Sequence, residues 1–128
     1  MGRTGLLLER KIRPGLAHFV AGTFEELCRQ WVARMAPGFA PDRVGSWWTG
    51  DAEIDVVAYD DRHALFGECK WSEKPMQQAD LEKLKAQASR VAALSGHEAT
   101  FALFSKSGFG RLEHPVMRIG LEEIVAAG

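Results

Sequence analysis

Little in this 128-residue chain is in excess, and each shortfall excludes something. Sixteen Lys and Arg stand against 17 Asp and Glu, for a formal net charge of −1. There is no global basic footprint, so any contact with nucleic acid must rest on a local rim of charge. Cysteine is scarce: Cys28 and Cys69 sit singly in apolar segments, without zinc-type spacing, and read as reduced core residues. The four histidines, His18, His63, His97 and His114, show no ligand spacing either. No apolar run approaches the roughly 20 residues of a membrane helix. Leu6-Leu7-Leu8 is too short for a secretion signal, so a cytoplasmic protein without a membrane partner is expected. There are no repeats and no low-complexity stretches. What is present is ordinary for a globular domain with a real core: 46% apolar and 26% charged residues.

Hydrophobic spacing divides the chain. Residues 1–14 read as a connector and 15–128 as one domain. From Gly15 to Met35, Leu16, Phe19, Val20, Phe24, Leu27, Cys28, Trp31 and Met35 recur at three- and four-residue steps, which predicts a helix stopped by Pro37-Gly38. Val44 to Trp48 reads as a strand, followed by a tight turn at Thr49-Gly50-Asp51. Strands are expected at 52–59 and 64–71, joined by a turn at Asp60-Asp61-Arg62. A helix over 76–94 should bury Leu81, Leu84, Ala88, Val91 and Ala92. A buried strand from Ala99 to Phe104 follows, then a loop over 105–110, a short strand at Val116–Ile119 and a short helix at Leu121–Ala126. Three short-linked strands make an antiparallel meander, and a crossover helix returns the fourth parallel to a neighbour. The expected class is α/β, a mixed sheet flanked by helices in the order αβββαβ.

Within that frame Asp55, on the second strand, is followed by Glu68-Cys69-Lys70 on the third. Side chains alternate along a strand, so Glu68 and Lys70 share a face. A hairpin that also carries Asp55 can gather two carboxylates and an amine. Crowded carboxylates repel, and a hard divalent cation relieves the repulsion. A lysine beside them can position a water or steady developing negative charge. These parts suit metal-assisted hydrolysis of a phosphodiester. The competing reading is a solvated strand face, against which the almost wholly apolar run before Lys70 argues.

Five motifs then fall in order: Phe24-Glu25-Glu26; Val44-Gly45-x-Trp47-Trp48; Glu53-Ile54-Asp55-Val56-Val57-Ala58; Gly67-Glu68-Cys69-Lys70-Trp71; and Phe104-Ser105-Lys106-Ser107-Gly108-Phe109. With the element order they resemble the PD-(D/E)XK, or restriction-endonuclease-like, superfamily, with Ile54 in the place of its proline. Over about residues 20–125 they look like the uncharacterised domain at the C-terminus of archaeal-type P-loop ATPases. The resemblance implies a DNA nuclease fold, Asp55 and Glu68 as ligands to Mg2+ or Mn2+, and Lys70 as a catalytic residue. It also implies a catalytic glutamate on the first helix. Glu25 lies about 100° from Phe24, at the edge of the apolar stripe, and Glu26 about 200° away in solvent, so Glu25 is the candidate. Gln77 or Gln78 at the start of the second helix matches a glutamine that some members use to hold water or phosphate. Ser105, Lys106 and Arg111 are candidate nucleic-acid contacts, with Phe109 and His114 able to extend that surface. Trp47, Trp48 and Trp71 can stack bases or pack the core.

The relatives carry an ATPase domain ahead of this one, and no Gly-x-x-x-x-Gly-Lys-Ser/Thr loop occurs here. The expectation is either the C-terminal domain of a longer ATPase, which is favoured, or a stand-alone version of it, partnered by DNA and by an ATPase domain on the same or another chain, and a homodimer if two DNA strands are cut. The alternatives are an inactive DNA- or protein-binding module that regulates the ATPase, and a purely structural interaction domain.

Overall fold

The computed structural model describes residues 14–50, 52–113 and 115–127, with side chains from Val20 to Ala126. Of the expected connector, residues 1–13 lie outside the described residues, as do Asp51 in the first turn and His114. The elements are α1 (Pro14–Met35), β1 (Arg43–Thr49), β2 (Ala52–Tyr59), β3 (His63–Lys70), α2 (Gln78–Ala88), a 3₁₀ turn (Ala92–Leu94), β4 (Glu98–Ser105), β5 (Met117–Gly120) and α3 (Leu121–Ala127). The fold is α/β, and its first six helices and strands follow the expected αβββαβ order.

The sheet runs β1-β2-β3-β4-β5. The first three strands pair antiparallel, and β4 and β5 join in parallel. Because β3 is central, Ala64, Leu65, Phe66 and Gly67 are all buried, as a strand covered on both faces requires. One face carries α1 and α3: Phe24, Cys28, Trp31, Val56, Leu65, Phe104 and Ile124 share a core there. The other carries α2: Ile54, Val57, Phe66, Met76, Leu81, Leu84 and Leu103 pack together. At Gly67 a Cβ atom would lie 2.8 Å from the Phe104 ring and 3.0 Å from the Val56 Cβ, so the strand passes only as glycine.

Several expectations need correction. On α1 the buried row is Phe24, Cys28 and Val32, with Trp31 beside it, whereas Leu27 is 40% and Met35 51% exposed. The helix rests on its i, i+4 row, which turns Leu27 to the outer flank. Met35 falls on the last residue, where Ala36 takes a left-handed φ of 46° and the chain turns away. The second helix is shorter than 76–94. Met76 is held in a bridge with Phe109, its N–H donating to the Gly108 carbonyl at 2.9 Å. At the other end α2 stops at Ala88, because the chain must return to lay Glu98 beside His63 at the start of the β3–β4 ladder. Val91 and Leu94 are still buried, but through the tighter 3₁₀ turn, which leaves Ala92 exposed. The fourth strand begins at Glu98, and its first two residues are exposed.

Candidate active site at the fork of the central hairpin

A β-bulge positions Asp55. Gly45 of β1 faces Val57 and Trp47 faces Ile54, so two steps along β1 match three along β2. The extra residue flips the pattern: Ile54 and Val57 both pack toward α2, while Val56 and Ala58 pack toward α1. A bulge re-aims a side chain and loosens the local ladder. The β2–β3 pairing runs from Tyr59–Ala64 to Val56–Gly67, and the next positions in that register are Asp55 and Glu68. There the Asp55 carboxylate takes over from a ladder carbonyl, its Oδ2 accepting the Cys69 N–H at 2.9 Å. Its own carbonyl accepts from Arg29 Nη1 of α1 at 2.8 Å. The acid is thereby held from both sides at the mouth of the hairpin.

Glu68 and Lys70 lie on the face of β3 toward α2, and a polar seam joins them to that helix. Lys83 Nζ stands 3.8 Å from Glu68 Oε2, and Lys70 Nζ stands 3.5 Å from Asp80 Oδ1. One strand further, Gln87 Oε1 accepts the Glu53 N–H at 3.2 Å. Asp80, Lys83 and Gln87 are spaced as one helix flank. Each immediately precedes a residue buried in the α2-side core, Leu81, Leu84 and Ala88. That spacing is the signal by which the sequence could have revealed Asp80 and Lys83. The ion pair of Lys70 is thus with Asp80 of α2.

Burial and proximity set the electrostatics. The Glu68 carboxyl is pushed up to about 7, first by burial and then by Asp55; Lys83 opposes the rise, while Asp80 and Glu25 add to it. Asp55 is also raised, by burial foremost, against the Cys69 N–H, Arg29 and Lys83, which favour its charge; Glu53 adds to the rise. Asp55 and Glu68 are the neighbouring carboxyls that could offer oxygen ligands to a hard cation here. Among the described residues no group of three or more His, Cys, Asp and Glu side chains offers a larger cage. Cys69, on the opposite face, has its thiol pushed well up by burial and by Cys28, which is the reverse of an activated nucleophile. Both cysteines are free.

The other candidates separate. Glu25 is half-buried and close enough to act on Glu68, whereas Glu26 is exposed and tied to Arg29 at 3.0 Å and Gln30 at 3.3 Å. Gln77 is exposed at the N-cap of α2, its N–H donating to Asp80 Oδ2 at 2.7 Å; Gln78 Oε1 instead accepts the Glu113 N–H at 3.0 Å. Ser105 is buried and its Oγ accepts the Ser107 N–H at 3.2 Å. Lys106 pairs with Glu73 at 2.9 Å and lies over the Trp71 ring, 4.8 Å from its centre. Arg111 is exposed, and Phe109 closes the α2-side core. Trp71 packs on Phe24, Trp47 enters the α2-side core, and Trp48 covers neither face, being 77% exposed. A surface hollow of about 490 Å³ along β1, lined by Asp42–Trp47, Val57 and Tyr59, includes neither Asp55 nor Glu68. Among the described residues, Asp42 is the one acid in its lining.

No curated protein and no solved structure matches the chain significantly. A family model does match, over residues 1–87, a span that carries Asp55, Glu68, Lys70, Asp80 and Lys83. The chain belongs to DUF234, a family of archaeal and bacterial proteins of unknown function.

Proposed function

We propose that this chain is a divalent-metal-dependent DNA nuclease domain that works in the cytoplasm beside a P-loop ATPase. The observation that carries the reading is the hairpin fork. A bulge sets Asp55 next to Glu68, burial raises both carboxyls, Asp55 raises Glu68 further, and Lys70 follows on the face of Glu68. A solvated strand face has no reason to raise its own acids; a site that gathers positive charge does. Asp55 and Glu68 would hold Mg2+ or Mn2+, which when bound supplies Lewis acidity to the phosphodiester. The Cys69 N–H and Arg29 orient Asp55, so its carboxylate is fixed before any ligand arrives. Lys70 supplies a donor and a charge for the oxyanion that builds up on phosphorus, while Asp80 keeps its ammonium in place. Glu25, reaching in from α1, adds negative charge at the same spot and orients water. A homodimer would bring two such forks to two strands.

One observation favours a second reading, a non-catalytic module that binds DNA or protein and regulates the ATPase. Lys83 and Asp80 already compensate Glu68 and Lys70 within the seam. Cleavage decides between them. Wild type and Lys70→Ala are incubated with plasmid, single-stranded and branched DNA in Mg2+, in Mn2+ and in EDTA. Metal-dependent cutting lost in Lys70→Ala supports the nuclease; cutting absent from both folded proteins, with DNA still bound, supports the binding module.

A further inference from the structure

The two lysines of the seam are held differently. Lys70 has only 33% of its side chain exposed, opposite a well-covered Asp80 (21%). Lys83 has 64% of its side chain exposed and stands 3.8 Å from Glu68, beyond the length of a good charge-assisted hydrogen bond. So Lys83 covers the acids from the solvent side, loosely, on a long stem rooted in a rigid helix. Its charge lowers the proton affinity of both Asp55 and Glu68, so it reaches the pair and not one acid alone. A phosphodiester approaching the fork meets two carboxylates that repel it. It also meets one largely exposed ammonium at the mouth.

We infer that Lys83 is a substrate-binding residue, which leaves Glu68 to take a non-bridging oxygen of the DNA phosphate that enters the fork. This rests on the nuclease reading. The contact is electrostatic and sequence-independent, so it should act equally on any DNA the site accepts. Lys85, two residues on, is the internal control. Its ammonium lies over the Phe101 ring, 5.6 Å from the centre, and is not part of the seam.

The test is the salt dependence of DNA binding by the full chain, read by fluorescence anisotropy. The probes are a labelled 20-nucleotide single strand and the matching duplex, in EDTA and in Ca2+. Each phosphate contact contributes about 0.7–0.9 to the slope of log K against log salt. Lys83→Gln should weaken binding several-fold at low salt and reduce the slope by about one contact; Lys83→Arg should restore it, and Lys85→Gln should leave it at the wild-type value. Thermal melts of each variant check folding, since a lysine that merely props up Glu68 would shift the melting temperature and not the slope. Wild-type binding with an unchanged slope in Lys83→Gln overturns the inference and leaves the nuclease reading standing. Failure of wild type to bind either probe in any buffer overturns both.

Discussion

The two ends of the β2–β3 hairpin handle carboxylates in opposite ways. At the turn, Asp60 Oδ1 accepts the N–H groups of Arg62 at 2.8 Å and His63 at 2.7 Å, and the His63 ring lies 3.1 Å away. Its carboxyl is lowered to about 2, chiefly by the Arg62 N–H. At the fork, Glu68 is raised to about 7 by burial and by Asp55. The same short hairpin thus holds an acid whose charge the backbone has satisfied and an acid whose charge is disfavoured by burial, an effect only partly offset by Lys83. The first closes a turn. The second disfavours its own charge through burial and through Asp55, an arrangement that costs stability.

The largest effect that probes this contrast is on chemistry. Lys70→Ala should lower metal-dependent cleavage by about 10²–10³-fold while leaving the melting temperature close to wild type, whereas Asp60→Ala should leave cleavage intact. Plasmid nicking rates check both.

How far these acids were visible in advance differs for the same kind of reason. Asp55, Glu68 and Lys70 were legible because strand alternation and a short turn are local rules, and the central strand announced itself by its unbroken apolar run. The bulge was not legible. Nothing in Glu53-Ile54-Asp55-Val56-Val57 marks an extra residue, and it follows from pairing with β1. The seam was missed because the spacing of Asp80 and Lys83 places them beside the buried stripe of α2 but does not name their partners, which depend on how α2 lies across β3. The overextended second helix failed for a related reason. Ser89 to Leu94 are acceptable in a helix, and the need to start β4 beside His63 overrides that preference.

Next in size is the junction between the two regimes. Gly67→Val places a side chain against Phe104 and Val56 where the paired part of the hairpin ends. It should cost about 1–3 kcal/mol or more, measured by urea unfolding, and should open the hairpin from the fork side.

A smaller effect separates the acids by pH. The folded-state value of Glu68 is raised above 4.5, to about 7, so the folded chain holds that proton more tightly than the unfolded chain. The resulting cost is absent below about pH 4.5, grows as pH rises through this window and is complete above about 7. Glu68→Gln removes it, offset in part by the lost Lys83 contact. It should be more stable than wild type at pH 8 by roughly 1–3 kcal/mol, with no difference near pH 4. Denaturant titrations at the two pH values measure this. Asp60 has the opposite sign, its folded value depressed from 3.8 to about 2. Its contribution is present above about 3.8 and fades as pH falls toward 2. Asp60→Asn should therefore melt slightly below wild type at pH 7, the smallest effect of the set, and the gap should close in strong acid.

The central claim, that Asp55 and Glu68 form a cation site, is tested most directly by titration calorimetry of Mg2+ and Mn2+ at pH 8 into wild type and into Asp55→Asn/Glu68→Gln. The asparagine keeps an oxygen for the Cys69 N–H, so the hairpin should survive the exchange. The account predicts saturable binding to wild type and none to the double variant, with both proteins folded. Equal binding to the two proteins, or no binding to wild type, would contradict it.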